Sequence, residues 1–129
     1  MTTETVVSLR WSDMDAMGHV NNATYLTYLE TAREPWFAAL GAAADYMRFA
    51  MRRIEVDFLS QLRFEDGAVR VIVELDGVGT TSVRTRERMT AESDGRLVVE
   101  AKAVIVRLDD EGVGSAPLPD DLRARLAAV

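Results

Sequence analysis

The chain of 129 residues carries 15 basic and 21 acidic side chains, a net charge of −6, with 48% hydrophobic and 28% charged residues. That balance fits an ordinary globular domain and opposes the basic face that nucleic acid or an anionic membrane surface requires, so neither is expected as a partner. With no cysteine, thiolate catalysis, disulfides and Cys-ligated zinc or iron–sulfur centres are excluded, and the lack of an apolar run of about 18 residues argues against a membrane-spanning helix.

The opening Met-Thr-Thr-Glu-Thr-Val-Val has neither the basic segment nor the apolar run of a signal peptide, so a cytoplasmic protein is expected, with residues 1–129 as one domain. Thr5 to Trp11 alternates and is rich in β-branched residues, which predicts a first strand. Ser12 to Gly18 breaks that pattern with a turn, and Gly18 is suited to a positive φ. Asn21 or Asn22 then makes a good N-cap. Tyr25, Leu26, Leu29, Ala32, Trp36, Phe37 and Leu40 recur at intervals of three and four, the mark of a helix that buries one stripe. Pro35 should kink that helix or begin a new turn after Glu34, and Gly41 should stop it. Ala42 to Met47 predicts a short second helix.

From there the period changes to two. Phe49–Leu59, Val69–Leu75, Thr81–Glu92 and Leu97–Leu108 read as four strands, the last a central strand packed on both faces. Asp76-Gly-Val-Gly79 and Ser93-Asp-Gly-Arg96 supply turns between them. Pro117 to Leu126 predicts a closing amphipathic helix. One strand, a long helix and four strands joined by turns make an α+β fold with an antiparallel sheet around one helix.

Several kinds of chemistry lack their residues. There is no G-x-S-x-G elbow, no phosphate-binding P-loop and no G-x-G-x-x-G opening a helix. Asp13, Asp15 and His19 are a conceivable metal set, yet carboxylates two apart in a turn also serve as caps. The segment Asp13 to Asn22 holds a more specific possibility. The first turn of a helix presents amides with no intrahelical partner, at the positive end of the helix dipole. They can polarise a carbonyl and stabilise an oxyanion on it, while a carboxylate just upstream attacks the carbon or activates water. The alternative is that both aspartates merely cap the turn.

The run Asp13-Met-Asp15-Ala-Met-Gly18-His19-Val20-Asn21-Asn22, leading into Tyr25-Leu26-Thr-Tyr-Leu29-Glu30-Thr-Ala-Arg33, resembles the signature of hotdog-fold acyl-CoA thioesterases of the 4-hydroxybenzoyl-CoA thioesterase type. Val56–Leu59, Gly79–Ser82 and Pro117–Leu122 extend the resemblance over nearly the whole chain. It implies a five-stranded antiparallel sheet wrapped around one long helix, a homodimer or homotetramer with active sites at the subunit interface, and no cofactor. It implies Asp15 as nucleophile or general base, the Asn22 backbone amide as the polarising donor, His19 and Asp13 in support, and Glu30 as a second candidate carboxylate.

Around that centre, Gly18, Asn21, Tyr25 and, from the partner subunit, Thr80 and Ser82 are candidates for substrate contact. Arg84, Arg86 and Arg88 alternate along one strand and so share a face. They are candidates for the phosphates of CoA, or else form a solvated face balanced by Glu87 and Glu92. Glu30 and Arg33, three apart on the helix, are expected to pair. A non-catalytic acyl-CoA-binding protein and a hydrolase directed at acyl carrier protein are the competing readings.

Overall fold

The computed structural model describes Met1–Val129. In chain order it comprises β1 (Thr2–Ser8), α1 (Asn22–Ala39), α2 (Ala43–Tyr46), β2 (Phe49–Phe58), β3 (Ala68–Val78), β4 (Ser82–Ala91), β5 (Leu97–Arg107) and α3 (Asp120–Ala127). Single 3-10 turns at Trp11–Asp13 and Phe64–Asp66 interrupt the connections. The strands form one antiparallel sheet in the order β1-β3-β4-β5-β2. This is the five-stranded sheet around a long helix that the hotdog resemblance implies.

α1 forms because its apolar positions return to one side every three or four residues. Tyr25, Tyr28, Leu29, Ala32, Trp36 and Phe37 are all buried on that side. They meet Val69, Val71, Val73, Val83, Met89, Val99 and Ile105 from the inner face of the sheet, in one continuous hydrophobic cluster. Each fully buried large side chain contributes roughly 1.5–3 kcal/mol relative to exposure, so this stripe is what holds helix to sheet.

Six local expectations are corrected, the first being the turn expected at Asp76–Gly79, which falls later because β3 runs on through Val78. β1 starts at Thr2 and ends at Ser8, and Trp11 sits in the following 3-10 turn, 75% exposed and edge-on to Phe64. Leu26, expected in the core, is 38% exposed because it lies to one side of the buried stripe. α1 runs through Pro35 without ending. The proline sits on the exposed side, where the Thr31 carbonyl it leaves without an amide donor can face water. β5 does lie inside the sheet, between β4 and β2, but it is not covered on both faces, since Ala101, Ala103 and Ile105 point inward while Glu100 and Lys102 point out. Its run of Ala and Val reflects one crowded face rather than two. The sixth correction is that Glu30 does not pair with Arg33. Arg33 reaches into the core and grips Glu87 of β4 through Nε and Nη2, both at 2.7 Å.

At the far end of α1, Gly41 takes φ +74° and the Arg125 guanidinium of α3 donates to the Leu40 carbonyl at 3.0 Å. α3 thereby closes the C-terminal end of the long helix, with Leu122 and Leu126 buried beneath it.

Candidate active site

The segment between β1 and α1 folds as a small hairpin. Its rungs are Asn21 N–H to the Asp13 carbonyl at 2.9 Å, a Met14–Val20 bridge, and Asp15 N–H to the His19 carbonyl at 2.7 Å. Gly18, at φ +77°, allows the chain to reverse at its tip. The hairpin is pinned to the rest of the molecule from beneath: Val20 N–H donates to the Leu62 carbonyl at 2.9 Å, and His19 bridges to Arg63.

The two aspartates have opposite fates. Asp13 turns inward and is 3% exposed. Its Oδ2 accepts from the Tyr28 hydroxyl at 2.7 Å and the Arg10 amide at 3.0 Å, while Oδ1 accepts from the Arg10 guanidinium. Burial alone would raise its pKa, but these donors hold it below the ordinary carboxylate value. The Tyr28 phenol is correspondingly driven up, by burial first and then by the carboxylate it serves. Asp13 therefore locks the base of the hairpin to α1 and has no free oxygen to offer.

Asp15 faces solvent. Its Oδ1 accepts the amides of Met17 at 2.9 Å and His19 at 3.1 Å, and its Oδ2 accepts no hydrogen bond from the chain. The carboxylate is thus held in one orientation by one oxygen while the other is left open. It is the backbone of His19, rather than its imidazole, that orients Asp15.

At the start of α1 the donors are similarly sorted. Asn21 is the N-cap: its side chain accepts the Ala23 amide at 2.9 Å, and its carbonyl accepts the Thr24 amide at 2.9 Å. The Asn22 amide donates to no group of the chain. It points out of the helix end whose dipole favours negative charge. Tyr25, one turn on, is 1% exposed and accepts the Leu62 amide at 3.0 Å. It packs as a core residue that ties the helix to the Leu62 segment.

A depression of about 340 Å³ opens beside Asp15, lined by Trp11, Met14, Gly18, Arg63 and Phe64 among others. Arg63 makes no ion pair with any carboxylate. Sequence reasoning brought none of three of these side chains (Trp11, Arg63, Phe64) to the site. The available signal was a tryptophan at the end of the first alternating run, directly ahead of the Asp13–Asn22 motif. Asp13, Asp15 and His19 do not converge as metal ligands, and no group of three or more His or carboxylate side chains does so elsewhere.

The remaining candidates lie elsewhere in the chain. Thr80 and Ser82 belong to the β3–β4 hairpin, where Arg123 of α3 donates to the Gly79 and Thr80 carbonyls. Arg125 of the same helix binds Leu40, so this hairpin stands at the C-terminal end of α1, opposite Asn22. Arg84, Arg86 and Arg88 share the outer sheet face, away from α1, because Val83, Thr85, Glu87 and Met89 take the inner one. Arg86 is engaged by Asp76 at 2.8 Å and Glu74 at 3.6 Å, whereas Arg84 and Arg88 form no ion pair. Glu87, expected to offset this stripe, instead lies on the buried side against Arg33. A single copy of the chain brings together Asp15, Gly18, His19, Asn21, Asn22 and, below them, Tyr25; it does not bring Thr80, Ser82 or the arginines to them.

Known proteins resemble this chain in sequence and in fold. The chain is 27% identical over 124 residues to the acyl-CoA thioester hydrolase YbgC of Escherichia coli, covering 92% of this chain and 90% of that protein. A thioesterase from Thermus thermophilus, solved with coenzyme A and Zn, superposes with a TM-score of 0.85 at 33% identity, over 97% of this chain and 91% of that one. The structure of a predicted thioesterase from Bacillus stearothermophilus gives 0.86 at 27% identity, over 99% and 96% of the two chains. The model of the thioesterase-like superfamily matches residues 9–126. From the hairpin ahead of α1 to the closing helix, this chain belongs to the thioesterase-like superfamily.

Proposed function

We propose that this chain hydrolyses acyl-CoA thioesters to a free acid and CoA at the Asp15–Asn22 hairpin. The observation that carries the reading is the pairing of an anchored carboxylate with one open oxygen, Asp15 Oδ2, and an unused amide, Asn22 N–H, at the two ends of the same short hairpin. The Asn22 amide donates to the thioester oxygen. Its hydrogen bond strengthens as negative charge develops there, which is the sense in which it lowers the barrier. Asp15 either attacks the carbonyl carbon or takes a proton from the water that does. In both routes the carbon–sulfur bond breaks and the thiolate of CoA departs and is protonated. If Asp15 attacks, water then cleaves the acyl-aspartyl anhydride and restores the carboxylate.

A second copy of the chain completes the site. Thr80, Ser82, Arg84 and Arg88 are too far along or behind the sheet to serve the Asp15 of their own chain, and the reading assigns them to the partner's substrate. The unpaired Arg84 and Arg88 there meet the CoA phosphates, to which arginine offers paired donors. Arg63, unpaired beside Asp15, is the cation that the same chain offers. A substrate bearing a CoA moiety does not cross membranes unaided, so the reading keeps a cytoplasmic setting; no helix here is long and apolar enough to cross a membrane.

The test is thiol release from short, long, branched and aromatic acyl-CoAs. Turnover of at least one of them is the expected result. Binding without turnover across the panel sinks the hydrolase reading in favour of a binding protein, and turnover of acyl carrier protein thioesters alone redirects it to that partner.

A further inference from the structure

A second groove runs beside α1, between the helix, α2 and the edge strand β2, with a volume of about 230 Å³. Leu26, Phe49, Met51, Ile54 and Ile105 make it largely apolar. Asn22, Leu26, Glu30 and Arg33 stand at i, i+4, i+8 and i+11 and so form one stripe along the helix. The groove therefore starts one turn beyond the amide assigned to the thioester oxygen and leads away from it. Between the levels of Asn22 and Arg33 the helix rises roughly 16 Å, shortened for the Arg33 head because helical side chains lean toward the N-terminus.

The far end of this groove is polar, and its donors are unspent. Arg33 is 4% exposed and commits Nε and Nη2 to Glu87, whose Oε2 also accepts from Thr85. No partner in the chain takes Nη1, although the residue lines the groove. The hydroxyl of Tyr46, half-buried in the same wall, has no hydrogen-bond partner either. An apolar groove whose lining also carries two unpaired donors offers them to an oxygen of whatever lies in it. Charge decides which kind. Glu87 neutralises Arg33, and Glu30 adds a negative charge to the groove wall, so a carboxylate is repelled and a neutral oxygen is accepted.

We propose that Arg33 and Tyr46 form the polar terminus of the acyl groove and select an acyl chain carrying a neutral oxygen, hydroxyl or oxo, at a position remote from the thioester. This rests on the acyl-CoA hydrolase reading and names its substrate class. The experiment compares kcat/KM for medium-chain acyl-CoAs of one length ending in methyl, hydroxyl, oxo or carboxylate groups, with the intact protein and with Tyr46→Phe. The expected result is a preference of about three- to tenfold for hydroxyl or oxo over methyl, the range one hydrogen bond supplies, and discrimination against carboxylate. Tyr46→Phe should shrink the hydroxyl-over-methyl ratio, and Glu30→Gln should relax the bias against carboxylate. A methyl-terminated chain turned over as well as its oxygenated counterparts by the intact protein overturns the proposal. So does a ratio that Tyr46→Phe leaves unmoved. Failure of every thioester to react overturns the hydrolase reading instead and takes this one with it, so the two failures are distinct.

Discussion

Asp13 and Asp15 stand two residues apart and look equivalent in the sequence, yet one is fully consumed by Arg10 and Tyr28 and the other is left with an open oxygen. What separates them is the side to which the hairpin turns each carboxylate. Tyr28→Phe removes a buried donor to a buried anion, so it should cost about 1–3 kcal/mol of stability. Thermal unfolding checks this, and an unchanged Tm would show that Arg10 alone holds Asp13. The N-cap role of Asn21 was open to a reading of local spacing, whereas the candidacy of Asp15 rested on the resemblance, since spacing alone fits two capping aspartates equally well. The pairing of Arg33 was open to neither. Local spacing offers Glu30, three residues back, while the true partner Glu87 is 54 positions away and is met only when α1 lies across β4. The unused Nη1 on which the acyl-groove proposal turns was invisible for the same reason.

At the level of elements, the four downstream strands and α1 were legible because hydrophobic period two and period 3.6 are hard to confuse over about seven residues or more. Strand order was not, since nothing local in a strand says which other strand it will pair with. The segment 61–67 matters more than its polar composition suggests. Arg96 donates to the Gln61 carbonyl at 2.7 Å and clamps Asp66, while Leu62 carries the bonds to Val20 and Tyr25. This clamp therefore supports the hairpin that holds Asp15. Arg96→Gln should lower kcat more than it raises KM, and equal loss through KM alone would contradict that positioning role.

The same clamp has a pH signature. The Asp66 carboxyl is held far below its ordinary value, first by the Arg96 guanidinium and further by the Arg63 amide and the Ser93 hydroxyl, against the opposing effect of burial. Because the folded pKa is depressed, the stabilisation is fully present above the unfolded value of about 4 and is lost as pH falls through and below it. Asp66→Asn should flatten the acid limb of a stability-against-pH curve, which denaturant titrations from neutral to acid pH would register. At the other end of α1, Gly41→Ala should cost about 1 kcal/mol or more, since a Cβ at φ +74° is strained and lands 2.5 Å from the Arg125 guanidinium.

At the level of the whole molecule, the chain holds the proposed reactive hairpin at one end of α1 and its proposed substrate-binding arginines on the other face of the sheet. That division makes sense when two copies share a site. If each site takes Asp15 from one copy and Arg84 and Arg88 from the other, two inactive variants should complement. Mixing Asp15→Asn subunits with Arg84→Ala/Arg88→Ala subunits in equal amounts should restore about a quarter of wild-type activity, since half the dimers are then mixed and each has one intact site. No recovery after subunit exchange would place the whole site within one chain. The resemblance at Asp13–Arg33 implies this arrangement, with active sites at the subunit interface.

The central claim is that Asp15 does the chemistry. The most direct measurement is kcat of Asp15→Asn on the best acyl-CoA, with circular dichroism and sedimentation confirming an unchanged fold and assembly. Asparagine retains the side-chain oxygen that accepts the Met17 and His19 amides, so the hairpin persists while nucleophile and base are lost. The account predicts a fall in kcat of about 10²–10⁴ with KM little altered; turnover within a few-fold of the unmodified protein would contradict it.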